Sequence, residues 1–316
     1  MLCLRKGDFK LLQVSVIVPC YNTAQFVEGT LRSVFAQTYT NYEVVVVNDG
    51  SPDTPQLELV LAPFRARIVY LKTENFGLAG ARNNGIRASS GELIALLDSD
   101  DEWEPNYLEV QVRKLDENPG ADIVYPRARI IGDGPLVGSC SKASLGEVTF
   151  TSLVEQKCVV MVSVLARRVA IERAGMFDPT LRSCEDFDMW LRCVKRGSRI
   201  IYHDEVLVRY RKRKGSLSSD PVWMLGSALK VLIKMRTAVP LTKKEREVLE
   251  SAICRFEGNK LLHESKLALG QGDFPTAIQL LAQADLRLKS TRLRAILLLM
   301  RALPSLVRTV YLWRSP

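Results

Sequence analysis

The sequence predicts an α/β protein, a mostly parallel sheet flanked by helices, with a helical C-terminal segment behind it. Three observations carry that expectation. Short β-branched or aliphatic runs alternate with stretches of helical spacing. Polar clusters stand directly after three of those runs. From about residue 221 the composition turns to long helical segments with a basic surplus.

The apolar runs at 14–18, 43–47, 68–71 and 93–97 read as buried strands. Between the first two, Phe26, Val27, Leu31, Val34 and Phe35 fall on one helical face, predicting a helix over 23–37. Further helices are expected at 54–65 and 78–88. Strands alternating with helices imply a parallel sheet covered on both faces, and ligands of such sheets bind beyond the carboxyl ends of the strands. Those ends carry Pro19-Cys20-Tyr21-Asn22, Asn48-Asp49-Gly50-Ser51 and Asp98-Ser99-Asp100-Asp101, which should converge on one edge. Trp103-Glu104-Pro105 is expected to open a helix with proline in its first turn. A strand at 122–125, an irregular loop at 132–149, a strand near 159–165 and a helix at about 185–196 follow.

Beyond 221, Thr242 with Glu245 forms a capping-box pattern ahead of a long helix. Residues 267–278 read as helix–turn–helix. Ser290 or Thr291 can cap a last helix, which Pro304 should kink. The organisation expected is an extension at 1–12, a main domain at 13–220 with halves at about 13–101 and 102–220, and a helical basic region at 221–316.

The net charge of +9 is unevenly placed. Residues 1–220 hold 28 basic and 28 acidic side chains, whereas 221–316 hold 16 and 7. The neutral first part speaks against a nucleic-acid protein. Seven cysteines without a C-x-x-C pair argue against a disulfide framework and a zinc site, and a reducing, cytoplasmic setting is expected. No signal peptide or transmembrane helix is expected.

VSVIVPCYN at 14–22, VVVNDGS at 45–51, NFGLAGARNNGI at 75–86, LLDSDD at 96–101, AGMFDP at 174–179, SCEDFDMWLR at 183–192 and VRYRKRKGSLS at 208–218 stand in one order. Together they resemble the family 2 glycosyltransferases, over roughly residues 13–218. The resemblance implies the GT-A nucleotide-diphospho-sugar transferase fold. The implied reaction is inverting, metal-dependent transfer of a sugar from a nucleotide-diphosphate donor, UDP-linked by preference, to an acceptor hydroxyl. Surface polysaccharide or glycolipid assembly is the implied setting, with a saccharide or lipid-linked acceptor.

It also implies residue roles. Pro19, Tyr21 and Asn22 would floor the base and ribose, and Asp49 would accept a hydrogen bond from the base. Arg82 would lie by the nucleotide, where a guanidinium can hold diphosphate oxygens in pairs. In Asp98-Ser99-Asp100, Asp100 is the expected ligand of Mg²⁺ or Mn²⁺, with Asp98 nearer the ribose and second in line for the metal. Hard carboxylate oxygens suit those ions. Asp186 would be the catalytic base, with Asp101 and Trp190 on the acceptor side and Glu185 orienting the acceptor or the base. Trp190 either stacks on a sugar or fills the core. Asp188 should turn about 200° from Asp186 on a helix. Many relatives carry a histidine where Arg213 stands, which puts metal ligation by that loop in doubt and leaves Lys212–Lys214 as a basic lid or a solvated charge run.

Two other classes compete with this reading. A nicotinamide dehydrogenase lacks its G-x-G-x-x-G after the first strand, and Gly132, Gly134 and Gly138 have the wrong spacing. A non-catalytic sugar-nucleotide-binding or scaffold protein on the same fold is the alternative, which the intact DSDD and Glu185-Asp186 oppose. Finally, residues 286–316 hold seven basic and no acidic side chains, with Arg294, Arg301 and Arg308 seven apart. That stripe suits an anionic membrane surface, and equally a helix docked on protein.

Overall fold

The computed structural model describes residues 13–144, 146–161, 163–213, 215–216 and 219–314. The extension expected at 1–12, and Lys214 of the basic run, lie outside them. The chain divides into two compact units between residues 214 and 215.

The first unit is built on an eight-stranded sheet of order β3-β2-β1-β4-β7-β6-β8-β5. Its first four strands, β1 (Val14–Cys20), β2 (Tyr42–Asp49), β3 (Val69–Thr73) and β4 (Leu93–Leu96), are all parallel, with β3 at one edge. Every residue of β1 is buried, as its near-continuous apolar run requires of a strand covered on both faces. Helix α1 (Ala24–Phe35) lays Val27, Leu31 and Val34 on the sheet. Helices α2 (Thr54–Leu61) and α3 (Gly77–Arg87) complete the crossovers. Gly85 of α3 comes so close to β1 that a Cβ there would lie 2.5 Å from Ile17 Cγ2.

The second half departs from simple alternation. Glu102–Trp103 form a short strand, β5, rather than the start of a helix, and α4 (Tyr107–Glu117) begins only after Asn106. The cause is tertiary. Trp103 is buried and stacked on Tyr107 with ring centroids 4.0 Å apart, and β5 pairs antiparallel with the long strand β8 (Ile200–Lys212). Strand β6 (Ile123–Gly132) runs well past the expected end and pairs parallel with β8 through two register shifts.

The strand expected near 159–165 is reduced to β7 (Leu165–Arg167), antiparallel to both β4 and β6. Ahead of it lies a turn closing α5 (Phe150–Val154), where Ser152 O accepts from the amides of Lys157 and Cys158. Helices α6 (Arg168–Arg173) and α7 (Glu185–Lys195) follow.

The second unit is helical: α8 (Pro221–Ala238), α9 (Lys243–Gln271), α10 (Phe274–Leu288), α11 (Thr291–Ala302) and α12 (Pro304–Arg314). Thr242 and Glu245 form the reciprocal capping box, and Gly272 at φ +85° ends α9. Ser290 caps α11. Ala268, Leu269, Ala277, Leu281, Leu293 and Met300 form the core shared by α9, α10 and α11.

Candidate active site

The three polar strand ends meet, as the parallel pairing of β1 with β2 and β4 requires. Asn22 N donates to Ser51 Oγ at 2.7 Å, and Ala24 N donates to Asp53 Oδ2 at 2.8 Å. The Thr23 and Ser99 hydroxyls share a hydrogen bond of 2.8 Å. Asn22 adopts φ +53°, a left-handed conformation that asparagine tolerates well. Pro19 costs the sheet no bond: its nitrogen faces the side where β4 has already ended at Leu96. Tyr21 is half exposed beside it.

Asp49 is buried, and Phe76 N donates to its Oδ1 at 2.8 Å. Burial pushes its carboxyl up, against the pull of the Phe76 and Gly77 amides and of Arg182. Gly50 makes this approach possible. At φ +61° it turns the chain so tightly that a Cβ would lie 2.7 Å from Asn75 N.

Arg82 joins the two halves of the domain. It is 1% exposed and donates from Nη2 to Asp98 Oδ1 at 2.7 Å and from Nη1 to Glu185 Oε1. Among the described residues its Nε has no hydrogen-bond partner. The resemblance expects this guanidinium beside the nucleotide, where it could hold diphosphate oxygens; here both terminal nitrogens hold carboxylates. Glu185 is buried against Arg82 rather than open to an acceptor, which leaves its other expected place, beside the base Asp186.

Asp186 lies next along α7, whose first turn is acidic where the helix dipole favours anions. Cys184 before it, at φ +59°, sets the entry angle. The Asp186 carboxyl is half-buried and accepts from Phe187 N at 2.7 Å. Burial, then the charge of Glu185, push it up to about 7, while Arg82 pulls the other way. Asp188 points elsewhere, fully buried and paired with Arg192 at 2.6 Å. Trp190 is core, 1% exposed and edge-on to Phe177 at 6.3 Å, so it is no sugar platform.

The DSDD turn is fastened to β8. Arg213 Nε donates to Asp100 Oδ2 at 2.7 Å. Arg211 donates its backbone N–H to Asp101 Oδ1 at 2.7 Å, its Nε to Asp100 O at 2.8 Å and its Nη2 to Glu102 Oε1 at 2.8 Å. Both guanidinium groups lie 5.3 Å from the Phe26 ring. Burial and then Asp98 push the Asp100 carboxyl up, and Asp101 is pushed much further for the same reasons together with Asp100. Asp101 is buried and bonded to β8, which corrects its expected place on the acceptor side. Ser99 is buried too, and its backbone carbonyl accepts from Thr30 at 3.0 Å, so it braces the turn.

Sequence reasoning missed Arg211, Asp53, Thr23 and the Asp100–Arg213 pair. Alternating arginines at 209, 211 and 213 were visible, but their partners follow only from β8 pairing with β5. The chemistry of the carboxylates fits a divalent cation. Asp98 and Asp100 are 28% and 16% exposed and offer hard oxygens. Among the described residues no cluster of three or more His, Cys, Asp or Glu could hold a metal alone. Such an ion would share these carboxylates with a ligand's oxygens. A surface cavity lined by Phe35, Gln37, Tyr42 and Arg67 lies instead by the start of β2.

Residues 15–158 match the family model described as glycosyl transferase family 2. The chain is 34% identical over 185 residues to an uncharacterized glycosyltransferase of Rickettsia bellii, spanning 58% of this chain and only 27% of that protein. It is 31% identical over 209 residues to the Escherichia coli UDP-Glc:alpha-D-GlcNAc-diphosphoundecaprenol beta-1,3-glucosyltransferase WfgD, covering 66% of this chain and 80% of that protein. Among solved structures it resembles S. aureus TarS 1-349 in complex with UDP, with TM-score 0.62 and 19% identity over 95% of this chain and 90% of that one. The mannosyltransferase PcManGT from Pyrobaculum calidifontis in complex with GDP-Man and Mn²⁺ gives TM-score 0.60 and 22% identity over 94% and 82%. These likenesses agree with the GT-A fold expected from the motifs. With the strand-end carboxylates, the buried arginine and the raised aspartate gathered on one edge of that fold, the chain belongs to glycosyl transferase family 2.

Proposed function

We propose that this chain is an inverting, metal-dependent glycosyltransferase that moves a sugar from a nucleotide-diphosphate donor, UDP-linked by preference, to a hydroxyl of a saccharide or lipid-linked acceptor. Surface polysaccharide or glycolipid assembly on the cytoplasmic side of a membrane is the setting. The observation that supports the reading is the bridge Asp98–Arg82–Glu185, which ties the DSDD turn to the first turn of α7, where Asp186 is the next residue. The printed ligands of the similar structures (UDP, UDP-GlcNAc and GDP-Man with Mn²⁺) and the lipid-linked substrate in WfgD's name support the substrate classes.

The residues divide the work. Asp49 offers a carboxylate to the single N–H between the two carbonyls of uracil, and Tyr21 and Asn22 border the ribose. Asp100, with Asp98 behind it, would hold Mg²⁺ or Mn²⁺, which supplies positive charge to the departing diphosphate. Asp186 accepts the proton of the acceptor hydroxyl as its oxygen bonds to the anomeric carbon and the carbon–phosphate-oxygen bond breaks. One displacement without a covalent intermediate inverts the anomeric centre. A carboxyl raised toward neutrality is a stronger base than an ordinary one, and general bases of this kind contribute about 10²–10⁴-fold.

Thermal shift with UDP-, dTDP- and GDP-sugars, with and without Mn²⁺, tests the reading, since a ligand of the folded state raises the melting temperature. A metal-enhanced shift with one nucleotide class, and donor turnover lost in Asp186→Asn, are expected. No shift with any of these donors overturns it.

A further inference from the structure

We infer that the bent helix pair α11–α12 docks on an anionic lipid bilayer, its leucines entering the headgroup boundary and its arginines meeting lipid phosphates. Helix α11 turns Leu293 and Met300 into the core of the second unit. Leu298 and Leu299 are left 66% and 54% exposed. At 100° per residue, Ala295, Leu298 and Ala302 lie opposite the buried pair, with Arg294 and Arg301 on one flank and Arg292 on the other. Leu303 at the bend, and Leu306, Val310 and Leu312 on α12, are exposed as well. An apolar ridge between basic flanks is the pattern of a helix lying in a membrane interface, where long arginines reach back to the phosphates.

The heptad stripe expected from the sequence is not what makes this surface. Helices α11 and α12 meet at 119°, so the seven-residue spacing is broken at Leu303. Arg308 is spent on Gly270 O, at 3.0 Å from Nη2, and Arg294 pairs with Asp285 at 3.1 Å. Arg292 and Arg301 are exposed. Among the described residues no single helix is long and apolar enough to cross a membrane; α11 and α12 reach that length and apolarity only together, across their sharp bend, and their basic flanks favour a place on the bilayer surface.

Charge selects the occupant. Residues 286–316 contain seven basic and no acidic side chains. Arg287 pairs with Glu257, Arg294 with Asp285, and Arg308 bonds Gly270 O, which among the described side chains leaves Lys289, Arg292 and Arg301 as the exposed cations outside these contacts. A second copy would set these like charges against each other, whereas anionic lipid attracts each of them.

The test is sedimentation of the full chain with phosphatidylcholine vesicles, alone or with about 30 mol% phosphatidylglycerol, a composition that gives a strongly negative surface. Binding to the anionic vesicles about tenfold or more above the neutral ones, falling as salt rises, is expected. Leu298→Glu with Leu306→Glu should cut binding about tenfold. Arg292→Glu with Arg301→Glu should do the same and flatten the salt dependence. Both variants change exposed side chains, so circular-dichroism melts should match the parent. Equal binding to the two vesicle types, or binding unchanged in both variants, overturns the inference. So does a dimer, seen by sedimentation velocity, that the leucine variant dissolves while no vesicle binding occurs. No nucleotide enters the assay, so its outcome is independent of the transferase reading.

Discussion

Arg213 and Asp100 form an ion pair of 2.7 Å at the tip of the DSDD turn, with both side chains mostly buried. A guanidinium thus already occupies one oxygen of the carboxylate proposed to hold a divalent cation. Removing it in Arg213→Ala should free Asp100. Mn²⁺ affinity, read by the loss of free-ion paramagnetic resonance signal, is expected to rise roughly fivefold, the equivalent of an ion pair of about 1 kcal/mol. Weaker binding in the variant would mean that Arg213 assists the ion instead of competing with it.

Asp186 gives the reaction a pH dependence of definite sign. Its carboxyl is raised from 3.8 to about 7, and only the ionised form accepts a proton. The value of kcat/KM should therefore climb through about pH 7 and level off above it. The native state holds this proton more tightly than the unfolded chain, so its relative stability falls as pH rises from the ordinary carboxyl range to about 7. Asp186→Asn should cut turnover roughly 10²–10⁴-fold, yet melt higher than the parent at pH 8.

Glu185→Gln isolates the neighbour. Glu185 is the second-largest cause of the raised Asp186 carboxyl, and Arg82, which lowers it, would be relieved of one anion. The acid limb of the rate profile should move to lower pH while donor binding by thermal shift persists. A limb that stays in place would show that burial alone sets it.

Arg82→Ala leaves Asp98 and buried Glu185 without their cation. Breaking a buried pair from one side costs about 3–5 kcal/mol, so urea melts should show a loss of that order. Arg82→Lys should rescue little, because one ammonium lacks the planar fork that reaches two carboxylates.

Gly50→Ala tests the nucleotide end. The new methyl would press on Asn75 N at 2.7 Å and displace the loop that presents Phe76 N to Asp49. Donor affinity should drop at least tenfold, measured by thermal shift, and hydrogen exchange at residues 74–77 should quicken.

The central sheet was legible because its strands are local statements. The run VSVIVPC contains the signal for β1 within itself, as VVVV does for β2. The placing of Asp49 at the end of β2, and of Asp98 and Asp100 just past β4, was legible from the same strand pattern, whereas Asp186 stood out only through the family resemblance. Trp103 misled, since Trp-Glu-Pro reads as a helix start until the edge of β8 is there to pair with it. Asp101, Trp190 and the partners of Arg82 were hidden because burial and pairing across distant segments decide them. The C-terminal arginines looked like one stripe only while the helix was taken as straight.

The bridge through Arg82 has a consequence for how this chain can change over generations. A lineage that lost the acid at 98 would keep a half-answered cation inside the protein, and one that lost the acid at 185 would inherit the mirror-image fault. Neither position can drift alone. Among relatives, substitutions at 82, 98 and 185 should arrive as correlated sets, and grafting one of them from a distant homologue should do more harm than exchanging all three.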